Sequence, residues 1–186
     1  MHTLSLSKLD TRTLTLSALC AALMAVCSWI SIPAAVPFTL QTFAVFLICD
    51  VLGGAAIWPV LLYLLLGAVG APVFSGFGAG PGGLFGPTGG YIVGFVFTCL
   101  VYLAGEKLRL TEKAPLRAAV LLAGLIVCYT FGTLWFVAVT SSRGTPYGLG
   151  AALTACVLPY LPFDLMKLAA AVAVSAPLRK IYEKAG

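Results

Sequence analysis

The sequence is short of charge and nearly empty of histidine. Its 186 residues hold 11 Lys+Arg, 6 Asp+Glu and one His, so 9% of the chain is charged. A soluble domain carries about 25%. His2 is the single imidazole and sits by the N-terminus, which leaves neither a zinc site nor a histidine-based catalytic triad. No G-x-x-x-x-G-K-[ST] stretch occurs, so this chain has no P-loop for ATP. Cys20, Cys27, Cys49, Cys99, Cys128 and Cys156 form no C-x-x-C pair. They lie in or beside apolar runs and read as small packing residues. Basic residues are too few and too scattered for a nucleic-acid surface. No metal or cofactor is implied.

What the chain has is apolar mass, at 61% of its residues. About a third of a chain this long stays wet when folded, so a soluble fold cannot hide that much. The expected class is an all-α integral membrane protein, with six transmembrane helices in one compact bundle, multi-pass in the lipid bilayer. The runs are Leu14–Ile30, Phe38–Leu52, Ala55–Gly70, Gly89–Ala104, Leu116–Thr140 and a last one from near Pro162 to Leu178. Crossing the hydrocarbon core takes about 20 residues. Gly148–Leu158 is apolar but short. It reads either as a re-entrant or interfacial piece, or as the start of a kinked last helix. Gly78–Gly83, GAGPGG, matches G-x-G-x-x-G in form only, because no strand-like run precedes it; it reads as a flexible or tightly turned loop.

The charges orient the bundle. Lys8, Arg12, Lys107, Arg109, Lys113, Arg117, Arg179, Lys180 and Lys184 fall on one face if there are six crossings, and Arg143 falls on the other. The positive-inside rule then makes both termini cytoplasmic. Residues 1–13 form a cytoplasmic N-terminal segment, 14–178 the transmembrane domain and 179–186 a cytoplasmic tail. The first run lacks an A-x-A site and is long for a signal peptide, so cleavage is not expected.

Two charges escape that accounting. Asp164 and Lys167 lie within the last run, three apart and so on one helix face. Each costs about 2.5–3.5 kcal/mol at mid-membrane. They form either a self-neutralising structural pair or a site for a polar ligand, and an intramembrane ionisable group favours the site. Asp50, between the second and third runs, reads as a solvated turn residue. Thr39 and Gln41 are placed to line the same pocket as Asp164. Phe38, Phe74, Phe77, Phe85 and Tyr91 read mostly as an interfacial aromatic belt. Tyr91, directly after Gly89-Gly90, is the best lid candidate. Ala18, Ala21, Ala22 and Ala25 give small-xxx-small spacings that suit close helix contact, inside the bundle or with a partner.

Several segments together resemble the BioY family of biotin transporters, the substrate-binding S components of energy-coupling-factor (ECF) transporters. They are IPAAVPFTLQTFAV (Ile32–Val45), LLYLLLGAVGAPVFSG (Leu61–Gly76), GPTGGYIVGF (Gly86–Phe95) and LPYLPFDLMK (Leu158–Lys167). The resemblance implies biotin capture from outside, with a coupling membrane subunit and ATPase subunits on other chains. It implies no enzyme activity in this chain, and a place in the cell membrane. It also puts the coupling subunit on the small-residue motif Ala18–Ala22. The expected substrate-binding set is Asp164, Lys167, Tyr91, Gly89, Gly90, Thr88, Gln41, Thr39 and Phe38. Asp164 would accept the ureido N–H groups, because an unpaired polar group in a dry site is costly. Lys167 would donate to the ureido carbonyl or the carboxylate, or neutralise Asp164. Gly89 and Gly90 would let backbone approach the ligand. The rival readings are an S component for thiamine or riboflavin, an intramembrane enzyme and a structural subunit.

Overall fold

The structure, a computed structural model, describes residues 11–34 and 36–184. His2, Lys8 and the rest of 1–10 lie outside the described residues, as do 185 and 186. Helix α1 covers Thr11–Trp29. A two-residue hairpin, β1 (Ser31–Ile32) and β2 (Phe38–Thr39), follows, with Ser31 opposite Thr39 and Ile32 opposite Phe38. Next come α2 (Gln41–Leu52), a 3-10 turn at Gly53–Ala56, and α3 (Ile57–Ala68). The short α4 (Pro81–Leu84), α5 (Gly89–Lys107), α6 (Ala114–Ser142), α7 (Leu149–Cys156) and α8 (Leu161–Lys184) complete the order. Helices dominate because in hydrocarbon each backbone polar group needs a partner within its own segment.

Among the described residues, five helical stretches are long and apolar enough to cross a membrane: 11–29, 41–68, 89–107, 114–142 and 161–182. The expected second and third runs thus count by length as one stretch of 28 residues. It is broken at Gly53, whose φ of 57° ends α2 in a conformation open to glycine. Both ends of the stretch meet the C-terminal end of α1. The Leu40 N–H donates to the Ile30 carbonyl at 3.1 Å, and Ser28 Oγ donates to the Val73 carbonyl at 2.5 Å. At α1's other end, Arg12 donates to the Tyr182 carbonyl of α8 at 2.8 Å.

Helices α5 and α6 approach closely because glycine meets bulk across the seam. A Cβ at Gly94 would sit 2.7 Å from Cys128 Sγ, and one at Gly132 would sit 2.3 Å from the Tyr91 ring. Met24, Phe46, Ile48, Tyr63, Tyr102, Leu121 and Leu125 fill the core. Phe74 belongs to the core and not to an interfacial belt; it is 3% exposed, edge-on to Tyr63, in space left by Gly67 and Gly83. Phe77 and Phe85 are exposed as expected of a belt. The GAGPGG stretch is tightly turned, with positive φ at Gly80 just before α4. Helix α7 is separate from α8, which begins at Leu161 with Pro162 in its first turn, where proline is tolerated.

Asp50 is the main correction to the sequence reading. It is fully buried, not a solvated turn residue. Tyr102 Oη donates to its Oδ1 at 2.7 Å and Arg117 Nε lies 2.9 Å from the same oxygen. Ser175 Oγ donates to Oδ2, and Arg179 Nη1 donates to the Asp50 carbonyl at 3.1 Å. The reason is local. Asp50 lies in the last turn of α2 before the Gly53 break, and α5, α6 and α8 close over that end. Arg117 and Arg179, counted from sequence among the topology charges, are drawn into the bundle by this carboxylate. Glu106 closes the same end by accepting the Gly54 N–H at 2.8 Å.

Candidate functional site

The opposite end of the bundle holds a cavity that is open at its mouth. The β1–β2 hairpin and five helices converge on it. The hairpin brings Val36, Pro37 and Thr39, and the first turn of α2 brings Gln41 and Thr42. Helix α5 supplies Tyr91, Ile92 and Phe95, and α6 supplies Leu125, Cys128 and Tyr129. Cys156, Tyr160, Asp164 and Lys167 close it from α7 and α8. The walls are mostly aromatic and aliphatic, with the two charged side chains, Asp164 and Lys167, at the α2–α8 contact.

That contact is a network around one carboxylate. Asp164 is 3% exposed. Its Oδ1 accepts from Thr42 Oγ1 at 2.8 Å and from Lys167 Nζ at 2.7 Å, and its Oδ2 accepts from Tyr129 Oη at 2.5 Å. An ionised carboxylate has about four lone-pair sites, so one is left. Lys167 also donates to the Thr39 carbonyl at 2.6 Å and lies 4.0 Å over the Phe38 ring. Its three protons thus have three partners: a carboxylate, a carbonyl and an aromatic face. Around them, Tyr91 Oη pairs with Thr133 Oγ1 at 3.0 Å, and Tyr160 Oη donates to the Val36 carbonyl. Gln41 is 4% exposed, and its side-chain amide is turned toward the Tyr63 hydroxyl.

The structure brings together Asp164, Lys167, Tyr91, Thr88, Gln41 and Thr39 of the expected set, all on the cavity wall. Phe38 reaches the site through Lys167, and stacks on Tyr160 at 6.0 Å. Gly89 and Gly90 are corrections, because their bare faces point to protein and not to the cavity. A Cβ at Gly89 would fall 1.7 Å from the Leu84 carbonyl oxygen, and one at Gly90 would fall 2.3 Å from Trp135 Cβ. They let α5 start tightly against α4 and α6 and so place Thr88 and Tyr91. Sequence reasoning missed Thr42, Tyr129 and the wall thiols Cys128 and Cys156. Tyr129 had a signal of its own, a phenol in mid-span far from either interface.

Ala18 and Ala22 are elsewhere. Both are exposed, on an apolar groove between α1 and α3 that Leu62, Leu66 and Trp29 also line.

A family model described as BioY family matches residues 1–184. The biotin transporter BioY of Thermotoga maritima is 39% identical over 166 residues, covering 86% of this chain and 91% of that one. The biotin transporter BioY of Rhodobacter capsulatus is 37% identical over 168 residues, with 84% and 87% covered. A crystal structure of the S-component for biotin from an ECF-type ABC transporter aligns with a TM-score of 0.80 at 28% identity over 91% of each chain.

Proposed function

The chain belongs to the BioY family, and on that premise we propose that it captures biotin for uptake as the membrane-embedded S component of an ECF-type transporter. The observation that carries the reading is the cavity's chemistry. Biotin is an apolar bicycle and chain with a polar ureido edge. The cavity is an aromatic and aliphatic cup with its charged pair on one wall. Asp164 accepts a ureido N–H at its remaining lone pair, while Thr42 and Tyr129 hold the carboxylate in place. Lys167 neutralises Asp164, a role supported by its three partners. Tyr91, Phe95 and Ile92 cover the apolar body, and Thr88 closes the wall beside them.

The wider assembly is part of the same proposal. The chain has no P-loop, so ATP hydrolysis belongs to partner subunits, and the chain is not itself an enzyme. The exposed Ala18 and Ala22 make the α1–α3 groove the docking face for the coupling subunit, since small residues let helix backbones meet. In the cell membrane, residues 14–178 cross six times, with 1–13 and 179–186 on the cytoplasmic side. The contact of Arg12 with Tyr182 and the meeting of both ends of 41–68 with the end of α1 support this path. The test is equilibrium binding by the purified chain against a panel of biotin, thiamine and riboflavin. Binding of biotin alone is expected; saturable binding of another vitamin, or of none, refutes the reading.

A further inference from the structure

Six thiols are scattered through the chain, and two of them meet. Cys49 Sγ on α2 lies 3.5 Å from Cys99 Sγ on α5. Among the described residues no other pair of sulfurs is in hydrogen-bond contact. Both thiols are reduced and buried. Cys99 donates to the Ala56 carbonyl at 3.8 Å, which leaves the Cys49 S–H to point at the Cys99 sulfur. Their neighbours hold them face to face. Asp50, next to Cys49, accepts from Tyr102, which is close to Cys99 on α5, at 2.7 Å. Reacting atoms about 3–3.5 Å apart stand at near-attack distance. The pair also sits beneath the cavity. Cys49 lies two helical turns from Thr42 on α2, and Cys99 lies one turn from Phe95 on α5. Thr42 and Phe95 are both cavity wall.

We propose that Cys49 and Cys99 are a redox modification site, a dithiol that a lipid-soluble quinone oxidises to a disulfide. The S–S bond forms as both S–H bonds break. The two protons and two electrons pass to the quinone, which leaves as the hydroquinone. Packing alone asks for small apolar volume and gives no reason for two sulfurs to face each other across a helix seam. The class of oxidant follows from the surroundings. Burial shuts out charged and water-borne oxidants. Leu100, beside Cys99, is exposed on the flank of α5, so an oxidant dissolved in the bilayer is the one that comes within reach. The consequence rests on the biotin reading above. To bond, the sulfurs must close most of their 3.5 Å gap, which draws α2 and α5 together under the cavity. Both helices carry cavity wall, Thr42 on one and Tyr91 and Phe95 on the other. The disulfide therefore shifts the walls against each other and weakens capture.

The test treats the full chain in detergent with ubiquinone-1, a short-chain quinone, and reads intact mass, peptide mapping and biotin affinity. The loss of two hydrogens is expected, mapped to peptides joined through Cys49 and Cys99, together with a fall in biotin affinity of about tenfold. Tributylphosphine, which cleaves disulfides, is expected to restore both. Cys49→Ala and Cys99→Ala are expected to bind biotin as the wild type does and to show neither change on oxidation. If the alanine variants do not fold, phenylarsine oxide replaces them. It bridges two close thiols with loss of one water, and is expected to map to the same two cysteines and to block the quinone. No bridge, or a bridge between any other pair, overturns the site. A mapped bridge with affinity within about threefold of the reduced chain overturns its hold on the cavity. The mass readout needs no ligand, so a reduced chain that binds no biotin overturns the biotin reading alone.

Discussion

Replacing Asp164 by Asn removes a charge and almost no volume, which makes it the sharpest probe of the site. The carboxylate accepts from Thr42, Lys167 and Tyr129 at 2.8, 2.7 and 2.5 Å. In the variant, Lys167, with a side chain 10% exposed, faces a neutral amide in place of its counter-charge and keeps the Thr39 carbonyl and the Phe38 ring. Breaking a buried ion pair from one side costs about 3–5 kcal/mol. Because those two partners remain, the lower end is expected, about 3 kcal/mol of apo stability. The loss in binding is separate. A hydrogen bond from a ureido N–H to a charged acceptor is worth about 1.5–3 kcal/mol, or roughly 10- to 150-fold in Kd. Adding Lys167→Met separates the two effects. The double variant no longer buries an orphan ammonium and is expected to recover most of the stability and none of the affinity. Thermal melting of the apo chain reads the first quantity and equilibrium biotin binding reads the second. An Asp164→Asn variant within about threefold of wild-type affinity, or a double variant that regains both, refutes the reasoning.

Three further outcomes follow from the packing. Asp50→Asn is expected to lower stability by about 3 kcal/mol, since it leaves Arg117 and Arg179 facing no buried carboxylate, while folded protein keeps its biotin affinity; a melting curve beside a binding isotherm checks this. Gly90→Ala places a Cβ 2.3 Å from Trp135 Cβ and is expected to force α5 from α6 at a cost of about 1–3 kcal/mol. Weakened biotin binding, through the displaced Tyr91, is the readout, and a neutral substitution counts against the seam described here. Ala22→Leu fills the α1–α3 groove and is expected to leave biotin binding unchanged while abolishing uptake in cells that supply the partner subunits; normal uptake rejects that docking face.

Some of this was legible in the residues alone. Long apolar runs identify helices because the bilayer is uniform enough for length and hydropathy to decide. Asp164 and Lys167 stood out because a charge in such a run needs a reason. Asp50 failed by the same logic. A carboxylate next to Gly53-Gly54 looks like a turn, and its partners Tyr102, Arg117 and Arg179 lie on other helices that no local pattern connects. Gly89 and Gly90 show a second limit. A glycine reports that a Cβ does not fit, but not which neighbour excludes it, and here protein does. Thr42 was hidden because one hydroxyl in a span is common, and the mid-span phenol of Tyr129 did not name its partner. Only the fold shows both aimed at one carboxylate.

The pairing of α2 with α8 has a consequence for the order of biogenesis. Helix α2 enters the membrane with Asp50 while Arg179, its partner 129 residues later, is still unmade. Thr42 likewise waits for Asp164, 122 residues later. Helix α2 is held at both ends by α8, so its final position is fixed only after α8 has been synthesised. Until then Asp50 has only Tyr102 and Arg117 as partners, and a chain stalled before Asp164 lacks the site's central acid as well as the tie to α8. Completion of the Asp50 network and acquisition of the binding site therefore converge on one late event.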